Sequence, residues 1–331
     1  VLLDAEQRVY LGEESRIDVS GSWIDRPFED TQVKLQLNSV ELRDEHGQKG
    51  GVLQGETIYV NPLEGSNIGD ISGALAYEEK SAQERSTYGG EIIMSATGGD
   101  IIQREVAEID FSGGGVDYQD GTLKVTQLRS GDKVYDISDA PDHIHYDEAV
   151  TITKQVSGYV EGDDAGSLKL TARGLVLDGT MDGAATQGPY QKETAEPVNE
   201  LGNQTLRGVK VAEKGTLLIG ENVRTASSSD PDYVVDEVVI ADKVSPLPSD
   251  FTPESDLKKV TGTGGSGSHS PYVSKYEDAE GLLYKSTISA DTLNAAGLGT
   301  IQIATNTQLI IEQDAEILMG SNSKFQAISR R

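Results

Sequence analysis

Two stretches of this chain, 92 residues apart, spell nearly the same unit. Val9 to Gly21 reads Val-Tyr-Leu-Gly-Glu-Glu-Ser-Arg-Ile-Asp-Val-Ser-Gly, and Ile101 to Gly113 reads Ile-Ile-Gln-Arg-Glu-Val-Ala-Glu-Ile-Asp-Phe-Ser-Gly. A unit this short cannot bury an apolar face alone, so self-similarity of this kind marks stacked repeats. In such a stack the inward aliphatic residues lie above and below one another. The Asp and Ser point outward or cap the turn, and Gly takes the corner where a side chain would clash.

The rest of the chain keeps the same rhythm. Leu168 and Leu170, Leu175 and Leu177, and Leu217 and Ile219 are short alternating pairs. Ile301 and Ile303, Leu309 and Ile311, and Ile317 and Met319 are three more, stepped by 8 residues, and Phe325 extends the series. Period-two spacing puts both members of a pair on one face of a strand. Strands at this spacing fit a sandwich, a barrel or a β-solenoid. Connections such as Thr305-Asn306-Thr307 are short without being Asn-Gly hairpin turns. Little helix is available for crossovers, and with 4 Phe and 1 Trp in 331 residues a thick globular core would lack its fillers. The expected fold is all-β: a right-handed parallel β-helix, one continuous body over residues 1–331, with coils of roughly 20 to 25 residues stacked at about 4.8 Å.

Three segments break the rhythm. Residues 71–86 predict one short helix, with Asp70 or Ser72 as N-cap and Gly89 as its stop. Residues 179–208 are polar and glycine-rich and predict an extruded loop. Residues 245–280, with Pro246, Pro248, Pro253, Pro271 and the run Thr261 to His269, predict a flexible loop. Excursions from a regular scaffold are frequent binding sites.

The net charge of −27 argues against nucleic acid as a partner, because a polyanion would be repelled and no counterion release would drive binding. It suits divalent cations and cationic or neutral glycans, and keeps an extended surface soluble. The absence of cysteine removes disulfides, thiolate metal sites and cysteine nucleophiles. No apolar run approaches the roughly 18 residues of a membrane helix. Val1-Leu2-Leu3-Asp4 is not a basic leader, so the chain reads as an internal piece of a longer protein.

The Ile-Asp-Val-Ser-Gly repeat, and Ser289 to Gly297 followed by Thr300-Ile301-Gln302-Ile303, resemble the filamentous haemagglutinin-like exoproteins of two-partner secretion systems. Gly51 to Val60, Asp70 to Leu75, Gly113 to Tyr118, Val134 to Ile137 and Gly158 to Leu168 resemble, in that order, a C-proximal region of the large members. The resemblance covers most of residues 1 to 320. It implies a right-handed parallel β-helix and export through an outer-membrane secretion pore. It also implies a secreted or cell-surface role in adhesion or biofilm matrix, with glycans or cell-surface components as partners and self-association into fibres as an option. The N-terminal secretion domain of that family is absent here; Asn61-Pro62 stands in a different context.

Candidate chemistry is sparse, and no cofactor, metal site or catalytic residue is assigned. His143 and His145 would share a strand face near Asp139, Asp142 and Asp147, but two ligands at fixed spacing are too few for a metal, and a solvated loop accounts for them better. Glu161 to Asp164 and Asp230 to Asp232 lack the ligand pattern of calcium loops and read as turns. Asp18, Asp110 and Asp178 recur at comparable coil positions, as carboxylates do along the groove of polysaccharide-degrading β-helix enzymes. Recurrence in a repeat favours turn geometry, and no nucleophile–base constellation accompanies them. Gly262 to Gly267 lacks the Lys of a phosphate loop. Asn203-Gln204-Thr205 is a glycosylation sequon. Tyr272, Tyr276 and Tyr284 flank the long loop and are the ligand-contact candidates, as amphipathic aromatics that stack on sugar rings or pin the loop. The expected function is a non-enzymatic adhesin or matrix scaffold; the alternatives are a filament subunit and a polysaccharide-degrading enzyme.

Overall fold

In a computed structural model of the chain, residues 1–38, 50–68, 71, 83, 85–191, 211–220, 235–244, 246–255, 274–278 and 281–329 are described. They are mostly β, with parallel sheets and one short helix. The strands begin with β1 (Leu2–Ala5), β2 (Arg8–Leu11), β3 (Arg16–Asp18), β4 (Trp23–Pro27), β5 (Val33–Gln36) and β6 (Thr57–Val60). Then come β7 (Glu91–Gln103), β8 (Glu108–Asp110), β9 (Gly115–Gln119), β10 (Gly121–Ser130), β11 (Lys133–Asp136) and β12 (Glu148–Val156). Next are β13 (Tyr159–Gly162), β14 (Ser167–Leu177), β15 (Thr180–Asp182), β16 (Thr216–Ile219), β17 (Glu237–Ala241), β18 (Ser274–Asp278) and β19 (Gly281–Ser289). Helix α1 (Ala290–Ala295) leads to β20 (Thr300–Thr305), β21 (Gln308–Ile311) and β22 (Lys324–Ser329).

The largest sheet is parallel, in the order β1-β7-β14-β16-β20-β22, with β2 also on β7. Register turns the alternating pairs into columns. Leu3 lies beside Met94, then Leu170, Ile219, Ile303 and Ala327. Ile92, Leu168, Leu217, Ile301 and Phe325 form the next column. From Ile92 to Ile301 and from Met94 to Ile303 these side chains are at most 1% exposed, and burying each contributes about 1.5 to 3 kcal/mol. A second parallel sheet, β3-β8-β15, puts Ile17 beside Ile109 and Met181. Phe111 closes this core between the sheets, 0% exposed.

The internal repeat is a register. Val9 pairs with Ile101, Ile17 with Ile109 and Trp23 with Gly115, each 92 positions on. The expected turn chemistry is present: Asp18 accepts the Ser20 N–H and hydroxyl, and Asp110 accepts those of Ser112. Gly21 and Gly113 sit where a Cβ would lie 1.9 Å from the Thr87 carbonyl oxygen and 2.1 Å from that of Asp163. Only glycine lets neighbouring chain segments approach this closely. Near the end, Ile301 pairs with Phe325, three 8-residue steps further on, while Ile317 and Met319 lie outside the strands.

Not every described strand lies in a parallel sheet. Strands β5 and β6, and β10 to β12, stand outside the parallel sheets and build antiparallel pairs, β5 with β6 and β11-β10-β12. These have their own core, including Val33, Leu37, Ile58, Val60, Ile68, Val125, Leu128 and Tyr146. The cause is legible at Ser130-Gly131-Asp132-Lys133: Gly131 takes φ +60 and Ser130 pairs with Lys133, which is a two-residue hairpin. An aromatic cluster of Phe28, Tyr118, Tyr159 and Tyr190 joins this unit to the parallel layers.

The expected helix over 71–86 falls almost wholly outside the described residues. The short helix that is described, α1, follows Ser289, and Gly297 at φ +65 stands just past its end. The loop expected from 179 starts as strand β15, which pairs with β8; 192–210 lie outside the described residues. The loop expected over 245–280 is also structured where described: 246–255 forms a docked strap, and 274–278 pairs antiparallel with β19. Proline-rich composition marks 245–280 as irregular, but burial of Leu247 and Phe251 holds its 246–255 part.

Candidate functional site

Two places concentrate polar chemistry. The first lies on the outer face of the large sheet, where Tyr10, Ile102 and Val176 form an outward column. Leu247 and Phe251 of the 246–255 strap cover it. Arg104, 3% exposed, reaches through the rim: its guanidinium donates to the carbonyls of Phe251 at 2.6 Å and Pro248 at 3.0 Å, and pairs with Glu13 at 2.6 Å. Arg8 pairs with Asp100 at 2.5 Å and donates to the Pro253 and Ser255 carbonyls. The Asp178 carboxylate accepts the Leu247 N–H at 2.7 Å. The strap is therefore held through its backbone, and its apolar side chains fill the stripe. This arrangement is an anchor.

Burial pushes the Asp178 carboxyl up to about 6, against the pull of the Leu247 N–H and the Arg104 charge. A folded value above the ordinary 3.8 means that the folded chain disfavours the ionised form. Its stabilising share is complete below about pH 4 and is lost as pH rises through 6. Asp178→Asn keeps an acceptor for Leu247 and removes the charge. Urea unfolding at about pH 7 should therefore find the variant more stable by about 2 to 3 kcal/mol, the gap closing near pH 4. A gap independent of pH would refute the assignment.

The Asp series expected at 18, 110 and 178 is corrected in its last member. Asp18 and Asp110 are in register, but Asp182 completes the column, and its carboxylate accepts the Ala184 N–H. Arg16 bridges Asp18 and Asp110 at 2.9 and 3.5 Å. Hydrogen bonding from Ser20 holds Asp18 below the usual carboxylate range. These carboxylates are turn caps.

His143 and His145 do not lie on a strand: they are exposed in a turn after Pro141, His143 against Asp142 at 3.2 Å, while Ile144 packs inward. Among the described residues no group of three or more His, Asp or Glu is placed to hold a metal. Asp163 accepts the Thr87 hydroxyl and Asp164 the Glu213 N–H, so both tie layers together. Of the tyrosine candidates, Tyr276 stands opposite Leu283 and Tyr284 opposite Lys275 in the β18–β19 ladder. Tyr272, Asp230, Asp232, Asn203 and Gly262 to Gly267 lie outside the described residues.

The second place was not foreseen from sequence. In the sheet β13-β9-β4, Trp23 pairs with Gly115 and Asp25 with Asp117. Gly162 and Val160 of β13 continue the same two rows. Alternation puts these rows on one face, and Trp23 on it is 49% exposed. The opposite face carries Ile24, Val116 and Tyr118 toward the aromatic cluster. The Trp23 ring leans over Gly115, where a Cβ would come within 3.0 Å of its Cζ3.

No protein-family model, curated protein or solved structure matches this chain. Its function must be argued from these two surfaces and the stacked layers beneath them. The signal that could have found the second surface is Trp-Ile-Asp, where the only tryptophan and a carboxylate share one strand face.

Proposed function

We propose that this chain is a stretch of right-handed parallel β-helix, the rod of a secreted bacterial surface protein used for attachment or matrix building. The observation that carries the reading is the ladder β1-β7-β14-β16-β20-β22, in which like aliphatic residues stack layer upon layer. Backbone hydrogen bonds then run along the axis, and a pull on one layer is shared by the whole width of the next. The antiparallel unit built from β5, β6 and β10 to β12 is a side branch on that rod. The resemblance of the Ile-Asp-Val-Ser-Gly units to filamentous haemagglutinin-like exoproteins supports the same reading, as does the charge of −27 on an extended surface.

The test is retention of the purified chain on bacterial and epithelial cell layers under flow. Saturable retention is expected, surviving shear that removes a globular acidic protein of equal charge. Retention no greater than that of the control would reject the attachment role. A filament subunit is the second reading: Leu3 and Ala5 at one end of the core, and Ile317, Met319 and Phe325 at the other, are only partly buried. Concentration-dependent growth of rods in sedimentation velocity would favour it.

A further inference from the structure

We infer that the face bearing Trp23, Asp25 and Asp117 is a contact surface for an amine-bearing glycan, a polysaccharide whose sugar rings carry free ammonium groups. The inference deepens the attachment reading and rests on it only for its biological setting. Three features carry it. Trp23 is the only tryptophan, it is 49% exposed, and no hydrogen bond among the described residues uses its indole N–H. A half-exposed indole presents an apolar plate with a polar edge, the shape on which the C–H face of a pyranose stacks. Beneath it Gly115 contributes no side chain, and a Cβ there would come within 3.0 Å of the ring at Cζ3.

The carboxylates supply the second feature. Asp25 and Asp117 are direct neighbours on parallel strands, and neither has an ion pair or side-chain hydrogen bond among the described residues. Like charges side by side on a sheet are destabilising unless a cation neutralises them. Elsewhere the fold does neutralise aligned carboxylates: Arg16 spans Asp18 and Asp110. On this face the residues at the corresponding positions of β13 are Gly162 and Val160, which bring no positive charge.

Scale is the third. Adjacent strands are separated by about 4.8 Å, and residues two apart on one strand by roughly 6.6 Å. The indole and the two carboxylates thus form a triangle with the footprint of one sugar ring. A ring stacked on Trp23 would place its ammonium and hydroxyl groups over Asp25 and Asp117, which accept charge-assisted hydrogen bonds. The cationic class is preferred over neutral sugars because two unneutralised carboxylates stand next to each other.

Because Trp23 is the only tryptophan, its fluorescence reports this face alone. Titration of the whole chain with a fully deacetylated glucosamine hexamer should give a saturable change in emission. The N-acetylated hexamer, tetralysine and calcium chloride alone should give much weaker changes. By calorimetry, Trp23→Ala and the isosteric pair Asp25→Asn with Asp117→Asn should each weaken hexamer binding by about tenfold or more. Both variants should keep the parent's melting temperature within a few degrees, which separates lost contact from lost fold. No saturable change with the hexamer would overturn the inference, as would equal binding of tetralysine or calcium, or unchanged binding by both variants. Failure of this titration with shear-resistant cell retention intact would reject the glycan face and leave the attachment role standing.

Discussion

Arg104→Ala is expected to release the strap at 246–255 and make Phe251 a cleavage point for chymotrypsin. Arg104 reaches two carbonyls in the first half of the strap, 144 and 147 residues further along the chain, while Arg8 holds those of Pro253 and Ser255 in the second half. Hydrogen bonds to a charged donor contribute about 1.5 to 3 kcal/mol each; the Phe251 carbonyl keeps the Tyr10 hydroxyl and the Pro248 carbonyl keeps the Phe251 N–H as second partners. The two bonds together give about 3 to 6 kcal/mol of docking free energy. Glu13, 53% exposed, returns to water without penalty, so the loss falls on the strap. Arg104→Lys should not restore protection, because an ammonium cannot hold the fork that spans both carbonyls and Glu13. Global unfolding in urea should change less than the cleavage rate, since the columns beneath the strap stay buried. A protease pattern identical to the parent's would show that Leu247 and Phe251 suffice to hold the segment.

Phe111→Ala should lower the stability of the parallel layers by about 3 to 5 kcal/mol, read by urea or thermal unfolding. Phe111 is fully buried where the β8 layer meets its neighbours. Its ring fills a space that Gly183 leaves: a Cβ there would lie 2.6 Å from Phe111 Cε2 and 2.9 Å from both its Cζ and Leu298 Cδ2. The opposite change, Gly183→Ala, should cost about 1 to 3 kcal/mol by overpacking. The two substitutions should couple. In the Phe111→Ala background the added methyl finds room, so the pair should lose less than the sum of the singles. Strict additivity would mean that ring and glycine do not share the cavity.

Much of this architecture could be read from residues alone. The 92-residue offset between Val9 to Gly21 and Ile101 to Gly113 is the register of β2 on β7 and of β3 on β8. Three 8-residue steps from Ile301 lead to Phe325, its neighbour in register. Both worked because the pattern is local: period-two alternation sets which face a residue takes, and glycine marks where backbones crowd. The antiparallel unit was missed although Gly131-Asp132 announced a hairpin, because alternating strands look alike whether they join a parallel stack or fold back on themselves. Asp178 resembles a member of the Asp column in sequence because it too sits just past a strand. The chain turns again before β15, and Asp182 takes the place instead.

The candidate surfaces were less visible for a related reason. Nothing near Arg104 in sequence reveals that its partners lie beyond Pro246, and nothing near Trp23 reveals Asp117. Each surface is assembled from segments far apart in the chain. What the sequence determined by itself was the repeating strand, its buried side and its glycine corners, since these depend on neighbours two to four positions away. Tertiary structure alone decided which carboxylates align, where the side unit branches and what covers the outer stripe, because those contacts exist only once distant layers are laid in register.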